Sequence, residues 1–134
     1  MVPPAAWGCD LVVPRLEMAL DDGCRWVLLA NNDTEFGPGT LRTLLEPLHD
    51  GDVAVTPKIL YPAPGRRIWF ACGRLDRWIS PTVHVGAEKQ DRGQFDGIGY
   101  TEYAPACFLT LDASVFARVG VMDAAYFAYY DDTD

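Results

Sequence analysis

The chain alternates short apolar runs with breaks marked by Pro, Gly, Asn and Asp, and the spacing inside each run assigns its element. Residues 1–13 show no period and read as an irregular lead-in. From Pro14, the positions Leu16, Ala19 and Leu20 suit a short amphipathic helix that Gly23 ends. Trp26 to Ala30 is apolar throughout, as in a strand covered on both faces. It stops at Asn31-Asn32-Asp33-Thr34, and open α/β sheets place ligands where a buried strand gives way to polar residues. Pro38 then opens a helix with Leu41, Leu44, Leu45 and Leu48 on one face, and Gly51 closes it. Val53-Ala54-Val55 begins the next strand, so the order strand, helix, strand predicts a right-handed parallel crossover.

The pattern changes between residues 61 and 104. Pro62, Pro64 and Gly65 mark a turn, and Ile68 to Cys72 predicts a strand. Residues 77–85 predict another, which Pro81 restricts to an edge. Residues 86–99 are polar and Gly-rich, the character of a mobile loop. Pro105 to Leu111 returns to a buried strand. Asp112 is then placed to cap a short helix holding Val115, Phe116 and Val119, which Gly120 stops. The organisation expected is one α/β domain: lead-in 1–13, strand–helix–strand 14–60, hairpin and loop insert 61–104, and strand with short helix 105–134.

Composition narrows the function. A length of 134 residues with 49% hydrophobic residues supports one folded core. The net charge of −8 disfavours broad nucleic-acid binding, since phosphate contacts need clustered Lys and Arg. It leaves a nucleotide ligand open, because a cation held by carboxylates neutralises a diphosphate locally. Cys9, Cys24, Cys72 and Cys107 include no Cys-x-x-Cys pair and read as free thiols of a reducing cytoplasm. No run is long enough to cross a membrane, and no basic start with an apolar centre marks a signal peptide.

Two acidic stretches offer chemistry. Asn31, Asn32 and Asp33 present hard oxygen donors of the kind that Mg²⁺ and Mn²⁺ prefer, and Mg²⁺ commonly takes one or two protein carboxylates plus waters and phosphate oxygens. The competing reading is an Asx-turn, which these residues also favour. Asp131, Asp132 and Asp134 are crowded carboxylates, one of which could keep a raised pKa and act as a base. Equally, Asp residues stabilise the first turn of a helix. Tyr130 and its aromatic neighbours could stack on a sugar face or fill a core. His49 and His84 have no second ligand at metal spacing and read as surface groups.

At these residues the chain resembles a family. Val27 to Thr34 is similar to the strand and Asp-x-Asp-type metal motif of family-2 glycosyltransferases, notably their rhamnosyltransferase-like branch, where Leu-Asn-Asn-Asp-Thr is common. Ala30 stands where Asn or Leu is frequent. Pro38-Gly39 with its Leu-rich helix, Val53 to Tyr61, Ala106 to Asp123, and Phe127 to Asp134 resemble later family segments in the family's order. The likeness runs from about Leu16 to Asp134.

The resemblance implies an incomplete GT-A fold with a mixed, mostly parallel sheet. It also implies inverting transfer of a sugar from a nucleotide-diphosphate donor to a hydroxyl of a glycan or lipid-linked acceptor, in cell-envelope polysaccharide synthesis. Asp33 would hold the divalent metal (Mg²⁺ or Mn²⁺), Asn31 and Asn32 would line that site, and Tyr130 would contact substrate. Asp132 would be the general base, with Asp131 in place of the family's Glu as the competing candidate. The location implied is the cytoplasm, extending to the inner face of the cell membrane. The family's first strand should precede residue 1 and a helix should follow Asp134, so this stretch alone is expected to be inactive. A non-catalytic nucleotide-sugar or scaffold fragment of the same fold is the alternative. A phosphoesterase built on the same acids would want a second metal and more ligands than the chain offers.

Overall fold

The structure, a computed structural model, describes residues 9–76, 78 and 80–122. Its elements run α1 (Cys9–Asp21), β1 (Trp26–Ala30), α2 (Thr40–His49), β2 (Ala54–Val55), β3 (Ile59–Leu60), β4 (Ile68–Phe70), β5 (Cys72–Asp76), β6 (Ser80–Val85), β7 (Phe108–Asp112) and α3 (Ser114–Val119). They divide into two compact units, Met1–Val55 with Ala106–Asp134, and Thr56–Pro105.

The first unit is built on a three-stranded sheet in the order β1-β7-β2. Strand β7 is antiparallel to both neighbours, pairing Ala30 with Phe108, Leu28 with Thr110, and Val55 with Thr110. Strands β1 and β2 therefore point the same way, as a crossover through α2 requires, but they are not partners. The parallel ladder expected between them is absent, and every ladder among the described residues is antiparallel. The reason is non-local: a strand from residues 108–112 takes the place between them and satisfies both inner edges. A mostly parallel sheet is thus a misreading; helices mixed with small antiparallel sheets are what forms.

The alternation of a strand sorts this sheet into two faces. Trp26, Leu28, Phe108 and Thr110 share one. His49, at the end of α2, meets Trp26 edge-on at 4.4 Å there, and Phe36 meets Phe108 at 5.2 Å. Leu44 and Leu48 of α2 are buried, as their helical spacing predicts, while Leu41 stays exposed. Helix α1 starts at Cys9, five residues before the expected Pro14. Pro14 lies inside the helix, where it has no N–H to donate to residue 10, and the helix still carries Leu16 into the core. Helix α3 has no fully buried residue, so its apolar stripe is only partly covered.

The second unit packs two short hairpins. In β4, Ile68 and Phe70 point inward and are fully buried, with Trp69 between them on the other face. Strand β4 pairs with β3 on one edge. On the other edge the Ile68 N–H donates to the Lys89 carbonyl and the Glu88 N–H donates to that of Ile68. The strand expected across Ile68 to Cys72 breaks at Ala71, and β5 leaves to pair with β6. Gly73 in β5 lets the chain at Tyr103 come close: a methyl added there would sit 2.8 Å from Tyr103 Cβ. Glycine in a strand interior commonly marks such an approach.

Candidate functional site

Asn31 continues the β1–β7 register by one residue, its N–H donating to the Cys107 carbonyl at 2.9 Å. The chain then turns, with the Thr34 N–H donating to the Asn31 carbonyl at 3.2 Å. The Thr34 hydroxyl returns to the same Cys107 carbonyl at 3.4 Å. One carbonyl at the start of the central strand therefore holds both ends of the turn. Asn32 and Asp33 fill its two corners, and with Asn31 they are exposed. Behind them Phe36 packs on Phe108, and Gly39, at φ 89°, turns the chain into α2.

The segment is a turn closed through the backbone, and the exposed Asp33 carboxylate follows two side-chain amides at the end of β1. Among the described residues no three His, Cys, Asp or Glu side chains converge as a metal cage. Asp33 suits a cation that takes most of its ligands from water and a bound diphosphate. Tyr130, Asp131 and Asp132 lie outside the described residues, as does Asp123 at the end of the Ala106 to Asp123 likeness.

Of the histidines, His49 is exposed beside Trp26, in agreement with its reading as a surface group. His84 differs. It is half-buried, edge-on to Trp69 at 4.8 Å and Phe70 at 5.2 Å, and stacked with Tyr103 at 5.8 Å. It belongs to the aromatic packing of the second unit.

A second constellation lies in that unit and was not apparent from sequence. The Asp91 side chain is wholly buried and accepts from Lys58 Nζ at 2.8 Å and Arg66 at 2.8 Å. The Gly93 N–H donates to it at 3.1 Å, and Lys58 reaches on to Asp96. Hydrogen bonds from Lys58, Arg66 and Gly93 hold the Asp91 carboxyl well below the usual carboxylate range. Burial pulls the Lys58 ammonium down, but its bonds to Asp91 and Asp96 outweigh that and raise it overall. The stretch expected to be a mobile Gly-rich loop is thus tied at residues 88–96. The only trace in the sequence was the Asp-x-Gly-x-x-Asp spacing of Asp91, Gly93 and Asp96; nothing there pointed to cations 25 and 33 residues upstream.

No family model, curated protein or solved structure matches the chain. None of the described helices is long and apolar enough to cross a membrane.

Proposed function

We propose that the chain is part of a metal-dependent glycosyltransferase of GT-A type, acting on a nucleotide-diphosphate sugar and a hydroxyl acceptor. The observation that carries this reading is the exposed Asp33 carboxylate on a turn stapled to the end of β1, within the motif order described above. The oxygens of Asp33, Asn31 and Asn32 are the right donor type for Mg²⁺ or Mn²⁺. A divalent cation bound there would supply positive charge against a departing diphosphate. The chain's own part is to hold those donors in place through the Cys107 carbonyl and to keep the turn outward. Asp132, with Asp131 beside it, is assigned the acceptor's proton, and Tyr130 the acceptor or donor sugar.

Calorimetry with a nucleoside diphosphate tests the proposal. Binding should require Mn²⁺ and be lost in Asp33→Ala. Binding indifferent to both would end the reading. In a transfer assay, Asp132→Asn should abolish transfer while nucleotide binding persists; loss of neither would remove Asp132 as the base.

A further inference from the structure

Strand β1 has the sequence of a central strand and the position of an edge strand. Trp26 to Ala30 is apolar throughout, with no charge and no proline. In the order β1-β7-β2 only one of its two edges is paired. Edge strands are commonly protected by Lys, Pro, a bulge or extreme shortness, because an open row of backbone groups is a template for another strand. None of these protects β1, whose five residues pair with β7 without a bulge.

The register shows which groups are open. The Asn31 N–H donates to the Cys107 carbonyl and the Ala113 N–H to the Arg25 carbonyl, so positions 25, 27, 29 and 31 turn their backbone groups toward β7. Trp26, Leu28 and Ala30 therefore turn theirs outward, and none of the described residues bonds to them. Ala30 is exposed and Trp26 and Leu28 are half-buried, so the row can be reached from solvent. It spans roughly 14 Å.

We propose that this edge pairs with the same edge of a second copy, antiparallel about a two-fold axis at Leu28. In that register Leu28 meets Leu28, and Trp26 of each copy meets Ala30 of the other. Every outward position then faces an outward position, and each such pair exchanges two hydrogen bonds. A slip of one residue would set open groups against groups already spent on β7, and a slip of two would leave one end of the row outside the strand. The side chains suit the same register, with a large Trp26 beside a small Ala30. Exposed Arg25, whose guanidinium lies 4.7 Å over its own Trp26 ring, comes opposite Asn31, beside the turn that carries Asp33. A parallel partner in register would set Arg25 against Arg25, at a cost in repulsion. The second copy thus supplies an equal row of open groups and buries no charge within the strand. The two-fold closes both rows at once, and β2, at the other edge of the sheet, has only two residues, so assembly stops at a dimer. The inference does not depend on the transferase reading.

Sedimentation equilibrium of the full chain, from micromolar to near-millimolar concentration, should show a monomer–dimer equilibrium. Amide exchange followed residue by residue by NMR locates the contact. The Trp26, Leu28 and Ala30 amides should become protected as the dimer fills, while those of Val27 and Leu29, bonded to β7, are protected at every concentration. Ala30→Pro removes an outward N–H and leaves the bonds to β7 in place; the two-fold doubles the loss, so dimerisation should weaken by about tenfold or more. Arg25→Glu, at an exposed position, should weaken it as well by placing like charges at both ends of the paired strands. Met18→Ala, which removes an exposed apolar side chain elsewhere in the same unit, should leave it unchanged. A chain that stays monomeric, a dimer in which the Trp26, Leu28 and Ala30 amides exchange freely, or protection of those amides that ignores concentration, as when a strand of the same chain holds the edge, would overturn the proposal.

Discussion

Phe108 is the side chain on which both the first unit's core and the placement of Asp33 depend. It is 1% exposed, lies in the central strand, and follows the residue whose carbonyl holds the Asn31–Thr34 turn. Truncating a buried Phe to Ala typically costs about 3–5 kcal/mol, against a total stability of about 5–15 kcal/mol for a domain. Its ring partner Phe36 is 52% exposed, so Phe36→Ala should cost only the pair and partial burial, about 0.5–1.5 kcal/mol. Urea unfolding followed by circular dichroism reads both. With a slope near 2 kcal/mol per molar urea, Phe108→Ala should lower the midpoint by roughly 2 M and Phe36→Ala by less than about 1 M. Phe108→Leu keeps much of the volume and should fall between them. The double mutant should be less destabilised than the sum by about 0.5–1.5 kcal/mol, because the ring pair can be lost only once. Equal costs for Phe36→Ala and Phe108→Ala, or a Phe108→Ala cost under about 1 kcal/mol, would show that β7 is not the core strand.

Three further outcomes are expected. Asp33→Ala should leave stability within about 0.5 kcal/mol of wild type, since the side chain is exposed, so any loss of nucleotide binding is local; a large drop in melting temperature would refute the exposed turn. Asp91 has a folded pKa below its unfolded value of about 3.9, so its contribution is complete above about pH 5, begins to fade below about pH 4 and is lost only as pH drops through the folded pKa; in Asp91→Asn the acid limb of an unfolding titration should flatten, and an unchanged limb would remove the buried ion pairs from the account. Gly73→Ala should destabilise the second unit by about 1–3 kcal/mol, because the added methyl meets the Tyr103 backbone, and hydrogen exchange across β5 and β6 should rise; unchanged protection would mean that Tyr103 does not approach β5.

Local pattern determined much of this protein. The apolar run at Trp26–Ala30, the leucines at helical spacing in α2 and the edge strand at Ser80–Val85 all form as their residues indicate, since burial periodicity and proline chemistry act over a few neighbours. The polar stop at Asn31 was equally legible, and so was its turn. Tertiary structure alone decided who pairs with whom. Side chains alternate between the two faces in either kind of ladder, and an apolar run does not name its partner, so nothing before residue 55 revealed that β7 would lie between β1 and β2. The same holds for Asp91, whose exposed-looking sequence context became a buried anion only when Lys58 and Arg66 arrived from distant positions. His84 likewise drew its aromatic neighbours from two separate segments, strand β4 and the loop at Tyr103. Pairing energies of this kind depend on contacts between residues far apart in the chain, and a one-dimensional pattern records which groups can be buried, not which groups will meet.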